Sequence, residues 1–245
     1  MDNAQIIHCQ LSTIHSMNIL SIDTSTRGCS VAVHTNGQLA ASYDLLTDRS
    51  SSSMLTTLMK NAVEHAGYTL ADLDAVAVAK GPGSYTGLRV SVSTAKGLCY
   101  ALDKPLIAIE TLAAMTAQIT AFYPEGYLFC PMIDARRMEV FATVYDTYLE
   151  PIQPTRAVIL DENSFAELLH ESPVVFFGDG AAKCRPLLGT HPNAYFPNQL
   201  IEPSARTVGM LASQAYAAGQ FEDLASFEPY YLKDFVGTTP RKKVV

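Results

Sequence analysis

The sequence predicts an α/β protein made of two tandem lobes, each with a βββαβα order, and three observations carry that prediction. Three meandering strand-like runs are followed by helix, strand and helix, and the order begins again at Tyr127. Both runs end their first strand in an aspartate, Ile22-Asp23-Thr24 and Ile133-Asp134-Ala135. Both leave a later strand through a glycine turn, Ala79-Lys80-Gly81-Pro82-Gly83 and Phe177-Gly178-Asp179-Gly180. The length of 245 residues fits one large or two small domains, at roughly 150 residues each.

Taken in order, Asn18 to Asp23 reads as a short buried strand. Ser30 to His34 alternates, Asn36-Gly37 is a hairpin turn, and Leu39 to Leu45 returns. The serines at 50–53 can cap the helix that follows, with Leu55, Leu58, Met59, Ala62 and Ala66 at helical spacing and Gly67 past its end. Ala75 to Ala79 is a strand, Lys80 to Gly87 a glycine-rich loop, Leu88 to Leu102 a helix, Leu106 to Ile109 a strand and Thr111 to Phe122 a helix. The second run has strands at Tyr127–Asp134, Glu139–Tyr145 and Arg156–Leu160, a helix at Ser164–His170, a strand at Val174–Phe177 and a helix after Gly180. A last helix spans Pro203 to Ala218, with Gly219 at its end. This is the ribonuclease-H-like order, and two copies around a cleft give the actin-like ATPase arrangement. The expected division is an extension at 1–16 that adds nothing to the fold, a first lobe at 17–108 joined by the returning helix 203–219, a second lobe at 109–202 and a tail at 220–245.

Hydrophobic residues make up 48% of the chain and charged residues 17%, with a net charge of -7. That composition excludes a disordered chain and argues against a self-sufficient nucleic-acid binder, whose signature is a basic balance. So few charges point to a surface meant for a partner. Five cysteines, at 9, 29, 99, 130 and 184, match no zinc or disulfide framework and read as reduced thiols. The N-terminus has no signal-peptide pattern and no run suits a membrane span, so the cytoplasm is the expected compartment.

Chemistry has three candidate locations. Lys80-Gly-Pro-Gly-Ser-Tyr-Thr-Gly-Leu-Arg89 runs from strand into helix, so Gly81, Gly83, Ser84, Thr86 and Gly87 surround a helix N-terminus that could meet a phosphate. The same stretch serves equally as a turn that seats the helix; its spacing matches neither a P-loop, a dinucleotide fingerprint nor a nucleophile elbow. In actin-like enzymes a strand-end Asp in this place works with Mg²⁺ and the hairpin hydroxyls touch phosphate, so the resemblance to that order implies such a role for Asp23, Thr24 and Ser25; the alternative is a carboxylate that ties up the hairpin's own N–H groups. Asp134-Ala-Arg-Arg137 sets two cations beside a strand-end carboxylate, for an anion or for ion pairing. No paired histidines, HExxH or zinc pattern occurs, and no nucleophile–base pair is visible. The helix from Leu88 carries small residues over much of its circumference, and the helix before it offers Met54, Leu58 and Met59.

Together, Ile22-Asp-Thr-Ser-Thr26, the Lys80–Arg89 stretch, Ile133-Asp-Ala-Arg-Arg137 and the closing Tyr230-Tyr-Leu-Lys-Asp-Phe235 resemble the TsaB (YeaZ) family over Met17 to Phe235. The resemblance implies a non-catalytic subunit that binds and activates TsaD in forming N6-threonylcarbamoyladenosine next to the anticodon of tRNAs reading ANN codons. It implies further partners: the ATPase TsaE in a larger complex, tRNA indirectly, and a homodimer when the chain is isolated. ATP or ADP is implied only at the partner interface, and no metal or catalytic residue is expected. TsaD and TsaB meet through paired helices of their first lobes, which maps here onto Met54, Leu58, Met59, Arg89, Ser91, Thr94, Ala95 and Leu98. One departure is clear: many members have His-Ser-Glu where this chain has Ser51-Ser52-Ser53, so no role of that histidine carries over. The competing reading is a free-standing actin-fold ATPase or kinase using Asp23 and the Gly81–Gly87 loop. A peptidase, as an older family name implies, has neither metal ligands nor a nucleophile to support it.

Overall fold

The computed structural model describes residues 16–46 and 51–233. The expected N-terminal extension therefore lies almost wholly outside the described residues, as do Ser50 and the closing Asp234-Phe235.

Two five-stranded sheets share one topology. The first is built from β1 (Asn18–Asp23), β2 (Cys29–Thr35), β3 (Gln38–Leu45), β4 (Ala75–Gly81) and β5 (Leu106–Glu110), in the order β3-β2-β1-β4-β5. The second holds β6 (Leu128–Asp134), β7 (Glu139–Tyr145), β8 (Pro151–Ile159), β9 (Val174–Phe177) and β10 (Ala194–Tyr195), in the matching order β8-β7-β6-β9-β10. In each, three antiparallel strands are followed by two parallel ones. The fold is thus the doubled ribonuclease-H-like, actin-like arrangement the element order predicts. Helices are α1 (Ser51–His65), α2 (Tyr85–Leu102), α3 (Thr111–Thr116), α4 (Ala166–Glu171), α5 (Ala181–Leu188) and α6 (Ala205–Ala217).

The sequence of β4, Ala-Val-Ala-Val-Ala, sets the spacing of the layers. Successive side chains point to opposite faces. Val76 and Val78 join Leu20 and Ile22 of β1 under α1 and α2, while Ala75, Ala77 and Ala79 face α6 with Ile19, Val208 and Ala212. The valine face fills the gap to two helices, and the alanine face lets α6 lie close. Each fully buried Leu or Ile contributes about 1.5–3 kcal/mol, before the entropy of ordering it. In α3, Ala114 faces α6, whereas Leu112 and Met115 pack with Phe129 and Phe177 of the second lobe.

Several boundaries differ from expectation. Helix α2 begins at Tyr85, not Leu88, because Ser84 is its N-cap and its hydroxyl accepts the Gly87 N–H at 3.3 Å. Helix α3 ends at Thr116, where Gln118 and Ile119 turn back through tighter bonds to Met115 and Thr116, and Ile119 enters the second core. Strand β8 starts at Pro151 despite two prolines, which an edge strand tolerates. Helix α6 starts at Ala205, with Ser204 as its N-cap, leaving Pro203 outside. The Asn36-Gly37 turn forms with both residues at positive φ, 51° and 78°. Cys29, Cys99, Cys130 and Cys184 are buried free thiols, and burial pushes each above the ordinary thiol range. Among the described residues, no helix is long and apolar enough to cross a membrane.

Candidate functional site

The end of β1 and the start of α2 form one junction. The Asp23 carboxylate accepts two hydrogen bonds through Oδ1, from the Ser25 N–H at 2.8 Å and the Ser25 hydroxyl at 2.6 Å. The Thr24 hydroxyl donates to the Gly87 carbonyl at 2.7 Å, and Ser84 N–H donates to the Ser25 carbonyl at 2.6 Å. A Cβ on Gly83 would collide with the Ser25 backbone, and one on Gly87 with the Thr24 carbonyl. The glycines are therefore occupied in seating α2 against the β1–β2 hairpin. Asp23 is buried, and its Oδ2 has no hydrogen-bond partner among the described residues. Burial pushes its carboxyl up to about 6, against the pull of the Ser25 bonds. Gly81 is buried behind the loop, while Ser84 and Thr86 are exposed at its rim.

Actin-like folds commonly hold a Mg²⁺-nucleotide here, and the residues can be tested against that group. Both hairpin hydroxyls and the close face of the glycine loop are consumed by contacts within the chain. They do not form a phosphate cradle.

The second lobe repeats the junction with different chemistry. Arg136 N–H donates to Asp134 Oδ1 at 2.6 Å, as Ser25 N–H does to Asp23. Asp134 also takes a 2.6 Å ion pair from Lys183 of α5, and its N–H donates to Asp179 at 2.9 Å. Nothing local in sequence announces Lys183, which stands on a helix far along the chain. Arg136 and Arg137 are exposed.

The proposed partner face requires correction. Leu58, Met59, Ser91 and Ala95 lie inside the molecule: Leu58, Met59 and Ala95 belong to the first lobe's core, and the Ser91 hydroxyl bonds back to its own helix. The phase of α1 and α2 turns these four toward β2 and β4 and away from the outer surface of the described residues. Met54 and Arg89 are exposed, Thr94 and Leu98 half-buried. What α2 does present is an open groove of ≈ 620 Å³ lined by Tyr85, Thr86, Arg89, Val90, Ser93 and Thr94. Starting the helix at Leu88 left Tyr85 out of it, and Val90 and Ser93 were passed over because helical period alone does not say which side of α2 faces outward.

The tail then crosses this region. Glu222 N–H bonds the Leu106 carbonyl at 2.9 Å, Lys96 reaches the Phe227 carbonyl at 2.8 Å, and Tyr230 N–H bonds the Lys80 carbonyl at 2.7 Å. Tyr231 packs on Tyr85 with ring centres 4.8 Å apart, and Lys233 pairs with Glu139 of the second lobe. The lobes also meet where the Tyr145 hydroxyl donates to Glu110 at 3.1 Å.

Comparison with known proteins places this architecture. Residues 45–234 match the family model of TsaD, tRNA N6-adenosine threonylcarbamoyltransferase. The tRNA threonylcarbamoyladenosine biosynthesis protein TsaB of Escherichia coli is 29% identical over 230 residues, covering 90% of this chain and 96% of the relative. TsaB of Bacillus subtilis is 34% identical over 167 residues, covering 66% of this chain and 71% of the relative. The solved structure of YeaZ from Pseudomonas aeruginosa superposes with a TM-score of 0.74 at 27% identity, over 88% of this chain and 100% of that one. With its glycine junction, its doubled lobes and these matches, the chain belongs to the TsaB (YeaZ) family, on the fold described by the TsaD family model.

Proposed function

We propose that this chain is a non-catalytic subunit that binds and activates TsaD in forming N6-threonylcarbamoyladenosine next to the anticodon of tRNAs reading ANN codons. The observation that carries the reading is the outer face of α2. Tyr85, Arg89, Val90, Ser93 and Thr94 line a groove that is open among the described residues, with Tyr231 packed on Tyr85 at one end, while the residues beneath them anchor the helix in the core. A helix held rigidly from behind and open in front suits docking against a second helix pair. TsaE and tRNA join through the TsaD complex, and in isolation the same face supports a homodimer. ATP or ADP belongs in this scheme at the junction with TsaD, and the compartment is the cytoplasm.

The alternative, a free-standing ATPase or kinase, draws support only from Asp23, whose Oδ2 is buried without a partner. The self-contained hydrogen bonds of Thr24 and Ser25 speak against it. The two readings separate on reconstitution. TsaD should form threonylcarbamoyladenosine with this chain present and lose most of that activity without it, while the chain alone turns over no ATP. Steady hydrolysis by the isolated chain, abolished by Asp23→Ala, would overturn the subunit reading.

A further inference from the structure

We propose that the β6–β7 hairpin tip is a phosphate-contact site for the tRNA backbone, made by the guanidinium groups of Arg136 and Arg137. The inference rests on the tRNA-modification reading above. Both residues adopt positive φ, 70° and 49°, a region that disfavours any residue with a Cβ. The β2–β3 turn meets the same demand with Asn36 and Gly37. A turn that keeps two arginines where asparagine and glycine are easier points to a use for the side chains.

Charge supplies the second observation. Each neighbouring carboxylate on the hairpin already has a lysine: Asp134 pairs with Lys183, and Glu139 with Lys233. The Asp179 carboxylate faces the Asp134 N–H. Neither arginine side chain makes a hydrogen bond or ion pair among the described residues, and both are exposed. Two uncompensated guanidinium groups thus stand together on a chain of net charge -7. Planar, permanently charged forks of this kind match phosphate oxygens bidentately. Arg27, from the corresponding β1–β2 hairpin, adds a cation that acts on Asp134. The acidic balance of the whole chain weakens tRNA binding by this subunit alone and leaves room for a local contact within a complex.

The test uses the full chain assembled with TsaD and an unmodified tRNA transcript, with affinity measured across a range of salt. The double variant Arg136→Gly with Arg137→Asn should lose about tenfold in affinity, and its log–log salt slope should flatten by between about 1 and 2. Its melting temperature should hold or rise, since both positions favour those residues, and TsaD should stay bound. Arg136→Lys with Arg137→Lys should keep the wild-type salt slope. Equal affinity and slope in the wild type and the Gly/Asn variant overturn the arginine proposal alone. Loss of TsaD from that variant assigns the hairpin to a protein contact and also overturns it. A wild-type complex that retains no tRNA overturns both this proposal and the reading beneath it.

Discussion

The Thr24 hydroxyl donates a 2.7 Å hydrogen bond to the carbonyl of Gly87, and the two backbones lie so close that a Cβ on Gly87 would strike the Thr24 carbonyl. This contact joins the first hairpin to the first turn of α2, and so fixes the helix that carries the open groove. Gly87→Ala should therefore cost about 3 kcal/mol, because the obstacle is backbone and cannot swing away. Thr24→Val removes only the hydrogen bond and should cost about 1 kcal/mol. Urea unfolding of both variants measures the difference; equal small losses would show that the junction is not tight.

Asp23 should make stability fall as pH rises. Its folded carboxyl is pushed up to about 6 by burial, above the ordinary 3.8 of the unfolded chain. The folded state therefore holds the extra proton between those values. The group's contribution is full below about 3.8 and is lost as pH climbs through about 6, on the order of 3 kcal/mol in all. Asp23→Asn keeps an oxygen for Ser25 and does not titrate. The stability of the wild type minus that of this variant should decline from about pH 4 to about pH 7, as read by urea unfolding at several pH values. A flat difference would contradict the buried, unpartnered carboxyl.

Gly209 of α6 sits directly on His34 and Ser21, whose Nδ1 and Oγ are buried without partners among the described residues. Gly209→Ala should cost about 1–3 kcal/mol by pressing a methyl into the imidazole. Combining it with His34→Ala should cost less than the sum of the two single changes, since the second makes room for the first. Strict additivity by thermal melting would mean that α6 shifts as a whole.

Much of this architecture was legible because its signals are local. The strand from Ala75, the Asn36-Gly37 turn and the paired Ile-Asp strand ends each lie within a few residues, and each formed as read. What was illegible depends on contacts across the chain. Gly87 reads as a loop residue, yet it stands in the first turn of a helix, small because of Thr24. Leu58 and Ala95 read as a docking face, but the helical period says only that they share a side, not which side meets the sheet. Lys183 and Lys233 neutralise carboxylates that no sequence spacing pairs with them.

Core and groove should respond in opposite ways. Leu58→Ala removes a side chain from the first lobe's core and should cost about 2–5 kcal/mol. Ser93→Glu changes an exposed position and should leave stability within about 0.5 kcal/mol. Thermal melts of the two variants report this directly.

Docking of TsaD on the outer face of α2 is tested by co-purification of tagged TsaD with the Arg89→Glu, Ser93→Glu double variant. The variant should melt like the wild type yet no longer travel with TsaD, and its addition should no longer raise threonylcarbamoyladenosine formation. A variant that co-purifies with TsaD as well as the wild type, and activates it equally, would contradict docking on this face.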